Sequence, residues 1–337
     1  MIRISFIIPF FNGKRYIEEC LDSIYAQDIP ETEYEVIVVD DCSTDGESLD
    51  LVSAYLKKHN NMRMVKNEQN IRVGGSRNHG IREAKGKYIW FVDQDDKIEP
   101  NCAGRLLEIC EKNELDYLSF DFTDFDDNGK IEPHRLITQN TEVMTGLEYA
   151  HKVCEKSIWL NQWDTNVWHQ IYRTEFLRAH YIYFSEVSYF DDMIVALKSL
   201  MYAKRMQTIP EVYYHYRYNE QSVLHTEVGT GGRTLFDGSI NAGVVLADLS
   251  LEVKEIDSYF SEHFEECAMF RVNTFTKALL RIPYKEQKKF YDQVFLHPDV
   301  MYKAWPYMSR KNKVLATHPW IARTLHPMVN QYRKMRS

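Results

Sequence analysis

The amino-acid sequence predicts an α/β protein with a mostly parallel central sheet covered by helices, followed by a helical C-terminal region. Short apolar runs alternate with segments of helical periodicity through the first half of the chain, which is typical of a parallel sheet buried on both faces. Three of the apolar runs end in polar clusters. A Gly-rich break at 229–232 then precedes a region whose pattern is helical to the C-terminus.

The spacing of apolar residues predicts the individual elements. Strands are predicted where apolar residues form short runs, at 4–8, 36–39, 62–65, 88–92 and 117–120. Helices are predicted where apolar residues recur every three or four positions, at 15–27, 47–59 and 191–202.

Composition and charge limit the classes of function. Hydrophobic residues make up 44% of the 337 residues and charged residues 27%, which predicts an ordered protein. The formal net charge of -8 argues against general nucleic-acid binding, because that binding depends on clustered basic side chains. An anionic small ligand would need a cation or a local basic group to offset the charge of the protein.

The cysteines and the apolar runs bear on the cellular location. The six cysteines form no C-x-x-C pair and lie in apolar or mixed segments, as reduced core thiols do. The chain shows no secretory signal pattern, and no apolar run reaches the roughly 18–20 residues needed to span a bilayer. We therefore expect a cytoplasmic protein.

Polar clusters follow three of the predicted strands. They are Pro9-Phe10-Phe11-Asn12, Asp40-Asp41-Cys42-Ser43 and Asp93-Gln94-Asp95-Asp96. Ligands of an open parallel sheet bind beyond the carboxyl ends of its strands, so we expect these clusters to converge on one crevice. In the second cluster, carboxylates would accept hydrogen bonds from a nucleobase or a ribose, or the segment would cap the next helix through Ser43, Thr44 or Asp45.

The cluster at 93–96 carries three carboxylates directly after a buried strand. Carboxylates this close repel one another and raise each other's pKa unless a cation neutralises them. Mn²⁺ or Mg²⁺ would do so, since these ions take carboxylate, phosphate and water oxygens as ligands. The alternative is a surface turn in which Asp95 or Asp96 caps the helix that begins near Pro100.

Four motifs, taken in order, resemble those of the family 2 glycosyltransferases of the GT-A fold, of the bacterial surface-polysaccharide type. They are Ile7-Ile8-Pro9-Phe10-Phe11-Asn12, Val38-Val39-Asp40-Asp41-Cys42-Ser43-Thr44-Asp45-Gly46, Ser76-Arg77-Asn78-His79-Gly80 and Phe91-Val92-Asp93-Gln94-Asp95-Asp96. The resemblance continues at 166–173, 190–192 and 216–222, and so covers roughly residues 1–225. It implies a Rossmann-like GT-A domain with a mostly parallel central sheet and flanking helices.

The resemblance implies a role for each motif. It favours nucleotide-sugar binding by Pro9, Phe10, Asn12, Asp41, Arg77, Asn78, Asp93, Gln94 and Arg217, and metal binding by Asp95, Asp96 and His225. Asp93 and Asp95 form the D-x-D motif at the ribose, the diphosphate and the Mn²⁺ or Mg²⁺ ion. The family usually has a catalytic Glu-Asp pair before an acceptor-side helix, and here the resemblance assigns the catalytic pair to Asp191-Asp192. Asp192 is the expected general base, with N-capping of that helix as its alternative role.

The segment 70–78 departs from the family pattern. The usual Asn-x-Gly-x-Ser-x-Ala-Arg-Asn is here the segment 70–78, in which Arg72 replaces a glycine. The family pattern therefore does not predict the local path of this loop. The side chain of Arg72 is expected in solvent, with a phosphate contact as the alternative.

These observations predict an inverting, metal-dependent glycosyltransferase. It would move a sugar from a nucleotide-diphosphate sugar, UDP-linked by the resemblance, to the hydroxyl of a saccharide or lipid-linked saccharide in bacterial polysaccharide or glycan synthesis. One alternative is a sugar nucleotidyltransferase, which would need a Gly-rich, basic loop after the first strand, where 9–13 has a single glycine and no basic residue. The other is a non-catalytic carbohydrate-binding module on the same fold, which predicts binding without turnover.

The sequence also predicts the domain organisation. We place a catalytic domain at 1–228, with a nucleotide-binding half at 1–115 and an acceptor-side half at 116–228, and a helical C-terminal region at 229–337. After Asp299 the chain has eight Lys and Arg residues and no Asp or Glu, interleaved with apolar side chains. This pattern suits peripheral contact with the inner face of the cell membrane, or a solvated basic tail on a helical bundle.

Overall fold

The computed structural model of the chain describes residues 1–134, 137, 139–154, 166–185, 191–218, 233–279 and 305–317. The chain divides into two compact units, the first formed by 1–186 and 192–218 and the second by 187–191 and 219–337. The domain boundary predicted after residue 228 lies outside the described residues and stays a prediction.

The first unit is built on one nine-stranded sheet. Its strands are β1 (Ile4–Phe10), β2 (Tyr34–Asp40), β3 (Met62–Lys66), β4 (Tyr88–Phe91), β5 (Lys97–Ile98), β6 (Tyr117–Phe125), β7 (Ile131–Pro133), β8 (Gln170–Arg173) and β9 (Met206–Arg217). The order across the sheet is β3-β2-β1-β4-β8-β6-β9-β5, and β7 pairs with β6. Strands β3, β2, β1 and β4 are parallel, as are β6 and β9, whereas β8 and β5 run antiparallel to their neighbours. The five predicted strands are thus all present in a mostly parallel sheet.

Helices connect the strands of the first unit. They are α1 (Ile17–Tyr25), α2 (Gly46–Lys58), α3 (Arg72–Glu83), α4 (Ala103–Lys112), α5 (Gly146–Cys154), α6 (Thr174–Ala179) and α7 (Asp191–Tyr202). The three helices predicted in this part of the chain correspond to α1, α2 and α7. Helix α3 packs closely on β1, since a Cβ atom added at Gly80 would lie 2.3 Å from Cγ2 of Ile7.

The core of this unit determines where a ligand site can form. Every residue of β1 and of β2 is buried, as expected for central strands covered on both faces. Phe10, the last residue of β1, is 1% exposed, whereas Phe11 is 44% exposed. The chain therefore first reaches solvent in the loop that follows β1, at the carboxyl edge of the sheet.

The described part of the second unit is helical, as the sequence predicted. It contains α8 (Arg233–Val253), α9 (Ser258–Leu279), a 3₁₀ turn (Trp305–Tyr307) and α10 (Arg310–Thr317). The side-chain amide of Asn273 on α9 donates to the carbonyl oxygen of Tyr307 at 2.8 Å, which ties the turn to that helix. Among the helices that the structure describes, none has both the length and the apolar character that crossing a membrane requires.

Candidate active site

Three loops meet at the carboxyl edge of the sheet, each following one of the parallel strands. We call them the β1 loop (11–16), the β2 loop (41–45) and the acidic loop (92–96). Hydrogen bonds join these loops directly, so the three polar clusters of the sequence do lie at one edge, as predicted.

Asn12 joins the β1 loop to the β2 loop. Its side-chain oxygen accepts the backbone N–H groups of Thr44 at 2.9 Å and Asp45 at 3.1 Å, and its own N–H donates to the hydroxyl of Ser43 at 3.1 Å. Asn12 has a φ of 48°, in the left-handed region that asparagine tolerates better than most residues. These contacts give Asn12 a structural role, and its contact with a nucleotide stays a prediction.

Gln94 joins the acidic loop to the β1 loop. Its side-chain oxygen accepts the N–H of Phe11 at 2.9 Å, and its side-chain nitrogen donates to the Phe11 carbonyl at 3.1 Å. The amide is thus paired with backbone on both sides. It holds the backbone of Phe11, whose side chain is exposed, next to the acidic loop.

Asp41 binds the backbone of the loop in which Arg72 replaces the glycine of the family pattern. Its carboxylate accepts the backbone N–H groups of Ile71 and Arg72, each at 2.8 Å, and the side-chain amide of Asn67 at 2.9 Å. Arg72 has a φ of 66°, the conformation that a glycine would favour, and its side chain is exposed as expected. The replacement of glycine by arginine therefore keeps a glycine-like backbone, which the Asp41 carboxylate secures.

Asp96 is buried beneath the acidic loop. Its two carboxylate oxygens accept the hydroxyl of Tyr214 at 2.7 Å and the backbone N–H of Arg217 at 2.7 Å. Burial, and then the charges of Asp95 and Asp93, raise the pKa of Asp96 well above the usual range. With 1% exposure and two strong partners, Asp96 anchors the loop, and the metal contact predicted for it is not favoured by this position.

Asp95 is the carboxylate of this loop best placed for a cation. No other described residue donates a hydrogen bond to its carboxylate, and burial together with the charge of Asp93 raises its pKa to about 6. A carboxylate beside another negative charge suits Mn²⁺ or Mg²⁺. Either ion would take its further oxygen ligands from phosphate and water. Within the described part of the chain, no group of three or more His, Cys, Asp or Glu side chains forms a metal centre by itself.

Arg77 connects the acidic loop to the start of α7. Its Nη2 donates to Oδ1 of Asp93 at 2.7 Å, and its Nη1 donates to Oδ1 of Asp192 at 2.5 Å. The guanidinium is 3% exposed and its Cζ lies 5.2 Å from the ring centroid of Phe184. Three of the predicted site residues, far apart in sequence, therefore form one contiguous ion-paired group.

Asn78 binds backbone in the structure. Its side-chain nitrogen donates to the carbonyl of Phe184 at 2.9 Å, and its side-chain oxygen accepts the N–H of the same residue at 2.8 Å. The amide is buried, so it holds the 181–185 segment against α3. This geometry does not favour the contact with the nucleotide sugar that was predicted for Asn78.

The structure places both β1 residues of the nucleoside-pocket prediction inside the strand. Pro9 and Phe10 are buried in β1, and Phe10 belongs to the hydrophobic core, so their contact with a nucleoside stays a prediction. The exposed aromatic residue at this edge is Phe11, which was not among the predicted site residues. The sequence gives no local signal for this difference, because Phe10 and Phe11 are identical neighbours and only their burial distinguishes them.

Arg217 is buried at the end of β9 and has protein partners. Its Nε donates to the carbonyl of Asp95 at 2.8 Å, and its Nη1 donates to Oδ1 of Asp127 at 2.6 Å. The phosphate contact predicted for Arg217 is not favoured by these contacts. His225 lies outside the described residues, as does the side chain of Asp191, so both assignments stay predictions.

Comparisons with known proteins agree with the motifs. The family description "Glycosyl transferase family 2" matches residues 5–182. The uncharacterized glycosyltransferase EpsJ of Bacillus subtilis (strain 168) is 30% identical over 227 residues, which are 65% of this chain and 62% of EpsJ. The poly(ribitol-phosphate) beta-N-acetylglucosaminyltransferase TarS of Staphylococcus aureus (strain Mu50 / ATCC 700699) is 27% identical over 293 residues, which are 86% of this chain and 48% of TarS.

A solved structure supports the fold. The crystal structure of S. aureus TarS 1-349 in complex with UDP-GlcNAc matches with a TM-score of 0.67 and 23% identity, over 99% of this chain and 92% of that chain. This likeness confirms the predicted GT-A architecture. The chain spans less than two thirds of the length of both curated relatives. The match to the family covers more than half of the chain and includes all four motifs. The chain therefore belongs to glycosyl transferase family 2.

Proposed function

We propose that the chain is an inverting glycosyltransferase that transfers a sugar from a UDP-sugar to an acceptor hydroxyl in bacterial surface-polysaccharide synthesis, with Mn²⁺ or Mg²⁺ as cofactor. Family membership supports the reaction class. TarS, which has a similar fold and whose crystals contain UDP-GlcNAc, supports the choice of a UDP-linked donor. The acceptor would be a saccharide or a lipid-linked saccharide.

The observation that carries this proposal is the Arg77 bridge between Asp93 and Asp192. In this bridge the Arg77 guanidinium contacts both a carboxylate at the start of α7 and a carboxylate of the acidic loop. Glycosyl transfer needs both groups close together. The acidic loop would hold the cation that binds the leaving diphosphate, and the carboxylate on α7 would take the proton of the acceptor.

On the donor side, the residues of this chain bind and orient the nucleotide. The exposed ring of Phe11 offers a stacking surface for the base, and two hydrogen bonds between its backbone and the side-chain amide of Gln94 hold the residue. Asp95, with Asp93 nearby, would hold the divalent cation. When bound, that cation supplies Lewis-acid stabilisation of the charge that grows on the diphosphate.

On the acceptor side, Asp192 accepts the proton of the attacking hydroxyl. The acceptor oxygen forms the new bond to the anomeric carbon as the bond to the diphosphate breaks, and the electron pair of that bond leaves with the diphosphate. A single displacement with one base inverts the configuration at the anomeric carbon. Because Asp192 lies in the first turn of α7, the helix dipole favours its ionised form.

The basic C-terminal stretch supports contact of the protein with an anionic membrane surface, where a lipid-linked acceptor would be found. In the described part, Nζ of Lys313 lies 5.5 Å from the ring centroid of Trp305, and Arg310 and Lys311 are exposed. Basic side chains beside an exposed aromatic ring suit a headgroup region. The rest of the stretch lies outside the described residues.

A donor panel tests the proposal. The full chain is incubated with each of several UDP-, GDP- and dTDP-sugars and a mixture of saccharide acceptors, with Mn²⁺, with Mg²⁺ and with chelator. Released nucleotide diphosphate is measured, and the anomeric configuration of the product is read by NMR. We expect release from a UDP-sugar that depends on the divalent ion and on the acceptor, with inversion in the product.

Three outcomes would contradict parts of the proposal. Retention of configuration would exclude a single displacement with Asp192 as base. Equal turnover in chelator would exclude the metal. Release of pyrophosphate from a nucleoside triphosphate and a sugar phosphate, without transfer from any nucleotide sugar, would support the nucleotidyltransferase alternative.

A further inference from the structure

Arg217 makes two contacts with the backbone and side chains of the acidic loop. Its backbone N–H donates to Oδ1 of Asp96 at 2.7 Å, and its Nε donates to the carbonyl oxygen of Asp95 at 2.8 Å. One contact is to the side chain of Asp96, and the other is to the carbonyl of the peptide bond that joins the two aspartates. Together with Tyr214 of the same strand, whose hydroxyl donates to Asp96, Arg217 holds the main chain next to Asp95.

The far end of the same guanidinium is fixed by two other elements. Nη1 donates to Asp127, in the turn between β6 and β7, and Nη2 donates to Glu19 on α1. The Cζ atom lies 4.1 Å from the ring centroid of Tyr16 and 4.3 Å from that of Phe125. The planar group is thus paired at its edges and covered by aromatic rings, and Arg217 is 5% exposed.

We propose that Arg217 is a positioning residue that sets the acidic loop for binding of the divalent cation, and that it does not contact the diphosphate itself. This inference rests on the proposed function, in which Asp95 holds that cation. Because the carbonyl of Asp95 and the carboxylate of Asp96 are both held, only the side-chain torsions of Asp95 remain to adjust. A preorganised ligand binds a cation more tightly than one that must be ordered on binding.

The chemistry of the side chain explains why arginine is needed. Arginine is planar and presents its donors in a fixed fork, so it can reach Asp95, Asp127 and Glu19 at once. A lysine at this position has one point of charge on a flexible stem and can satisfy only part of this arrangement. The proposal therefore predicts that even a charge-conserving change loosens the acidic loop.

The test compares metal and nucleotide affinities of the full chain. Arg217→Lys and Arg217→Gln are measured by Mn²⁺ titration monitored by electron paramagnetic resonance, and by UDP titration with and without Mn²⁺. We expect Mn²⁺ affinity to fall about tenfold in Arg217→Gln and less in Arg217→Lys, as one lost positioning contact of about 1.4 kcal/mol implies. UDP affinity in chelator should stay within about twofold of wild type, since no contact with UDP is removed.

Arg3→Gln is the matched control. Arg3 also bridges two carboxylates, Glu33 and Glu111, and it has no contact with the acidic loop. It should leave Mn²⁺ affinity unchanged. If Arg217→Gln fails to fold, Asp127→Asn removes one anchor of the guanidinium from an exposed turn, and we expect about a threefold loss of Mn²⁺ affinity from this smaller change.

The outcomes separate this inference from the function on which it rests. Unchanged Mn²⁺ affinity in the Arg217 variants would overturn the positioning role. An equal loss of UDP affinity with and without Mn²⁺ would show a direct phosphate contact and overturn it as well. Wild-type protein that binds Mn²⁺ but transfers no sugar would refute the proposed function, while the affinities of the variants still decide the role of Arg217. Wild-type protein that binds no Mn²⁺ would refute both.

Discussion

Nη1 of Arg77 lies 2.5 Å from Oδ1 of Asp192, and the other guanidinium nitrogen of the same side chain is bonded to Asp93. One buried cation thus orients the proposed base and the first carboxylate of the acidic loop together. The position of Asp192 should depend on this bridge. A misplaced reacting group lowers the rate even when it is still present, so loss of the bridge should lower kcat.

Arg77→Lys tests that dependence. Lysine keeps the positive charge but cannot bond both carboxylates in the geometry of a guanidinium. We expect kcat to fall by about 10²-fold, the scale of loss that a displacement of about 1 Å can cause. Steady-state kinetics with the UDP-sugar identified by the donor panel measures the change.

Arg63→Lys is the control for this variant. Arg63 likewise bridges two carboxylates, Glu35 and Glu83, at a partly exposed site away from the three loops. Its kcat should equal that of wild type. A similar loss of kcat in both variants would mean that the effect of Arg77→Lys comes from general loss of stability.

Substitutions of Asp95 and of Asp192 should affect metal binding and proton transfer separately. Asp95→Asn removes the charge that the cation needs, so both turnover and Mn²⁺-assisted UDP binding should be lost. Asp192→Asn removes the proposed base but keeps a side-chain oxygen that can accept from Arg77, so kcat should fall by about 10²–10⁴-fold with UDP binding unchanged. Calorimetry of UDP binding with Mn²⁺, beside kinetics, checks both. Turnover equal to wild type in either variant would refute its assignment.

Asn78→Ala should act through folding. The change removes both hydrogen bonds to Phe184 and leaves a buried backbone N–H and carbonyl unpaired, which costs about 2–4 kcal/mol of unfolding free energy. Urea denaturation measures this loss. Asn128→Ala, in the exposed turn after β6, is the control and should change stability by less than about 0.5 kcal/mol. A stable Asn78→Ala protein with weakened UDP binding would favour the donor contact predicted from the sequence.

The sheet was largely predictable because its central strands have a strong pattern. The apolar runs of β1 and β2 leave little choice of element, and the helical spacing of α1 and α2 between the first strands dictates parallel pairing. Strands β5 and β8 were not predicted. They have two and four residues, and pairing with distant strands determines them more than their own pattern does.

The site was predictable in place but less so in detail. Residues at the ends of parallel strands share one edge whatever their side chains do, so the meeting of the three loops follows from topology. Whether a polar side chain faces a ligand or a neighbouring loop depends on partners far along the chain. Asn78 and Phe184 are 106 residues apart, and nothing local in the sequence reveals their pairing.

Arg72 offers a test of the departure from the family pattern. Its φ of 66° costs a non-glycine residue about 1–2 kcal/mol, while a glycine adopts it freely but loses about 0.5–1 kcal/mol through the entropy of the unfolded chain. Arg72→Gly should therefore be more stable than Arg72→Ala by about 1 kcal/mol, since both remove the side chain and only one relieves the backbone. Urea denaturation of the two variants measures the difference. Equal stability would mean that a φ of 66° at position 72 costs a residue with a Cβ atom no more than the chain entropy that glycine loses on folding.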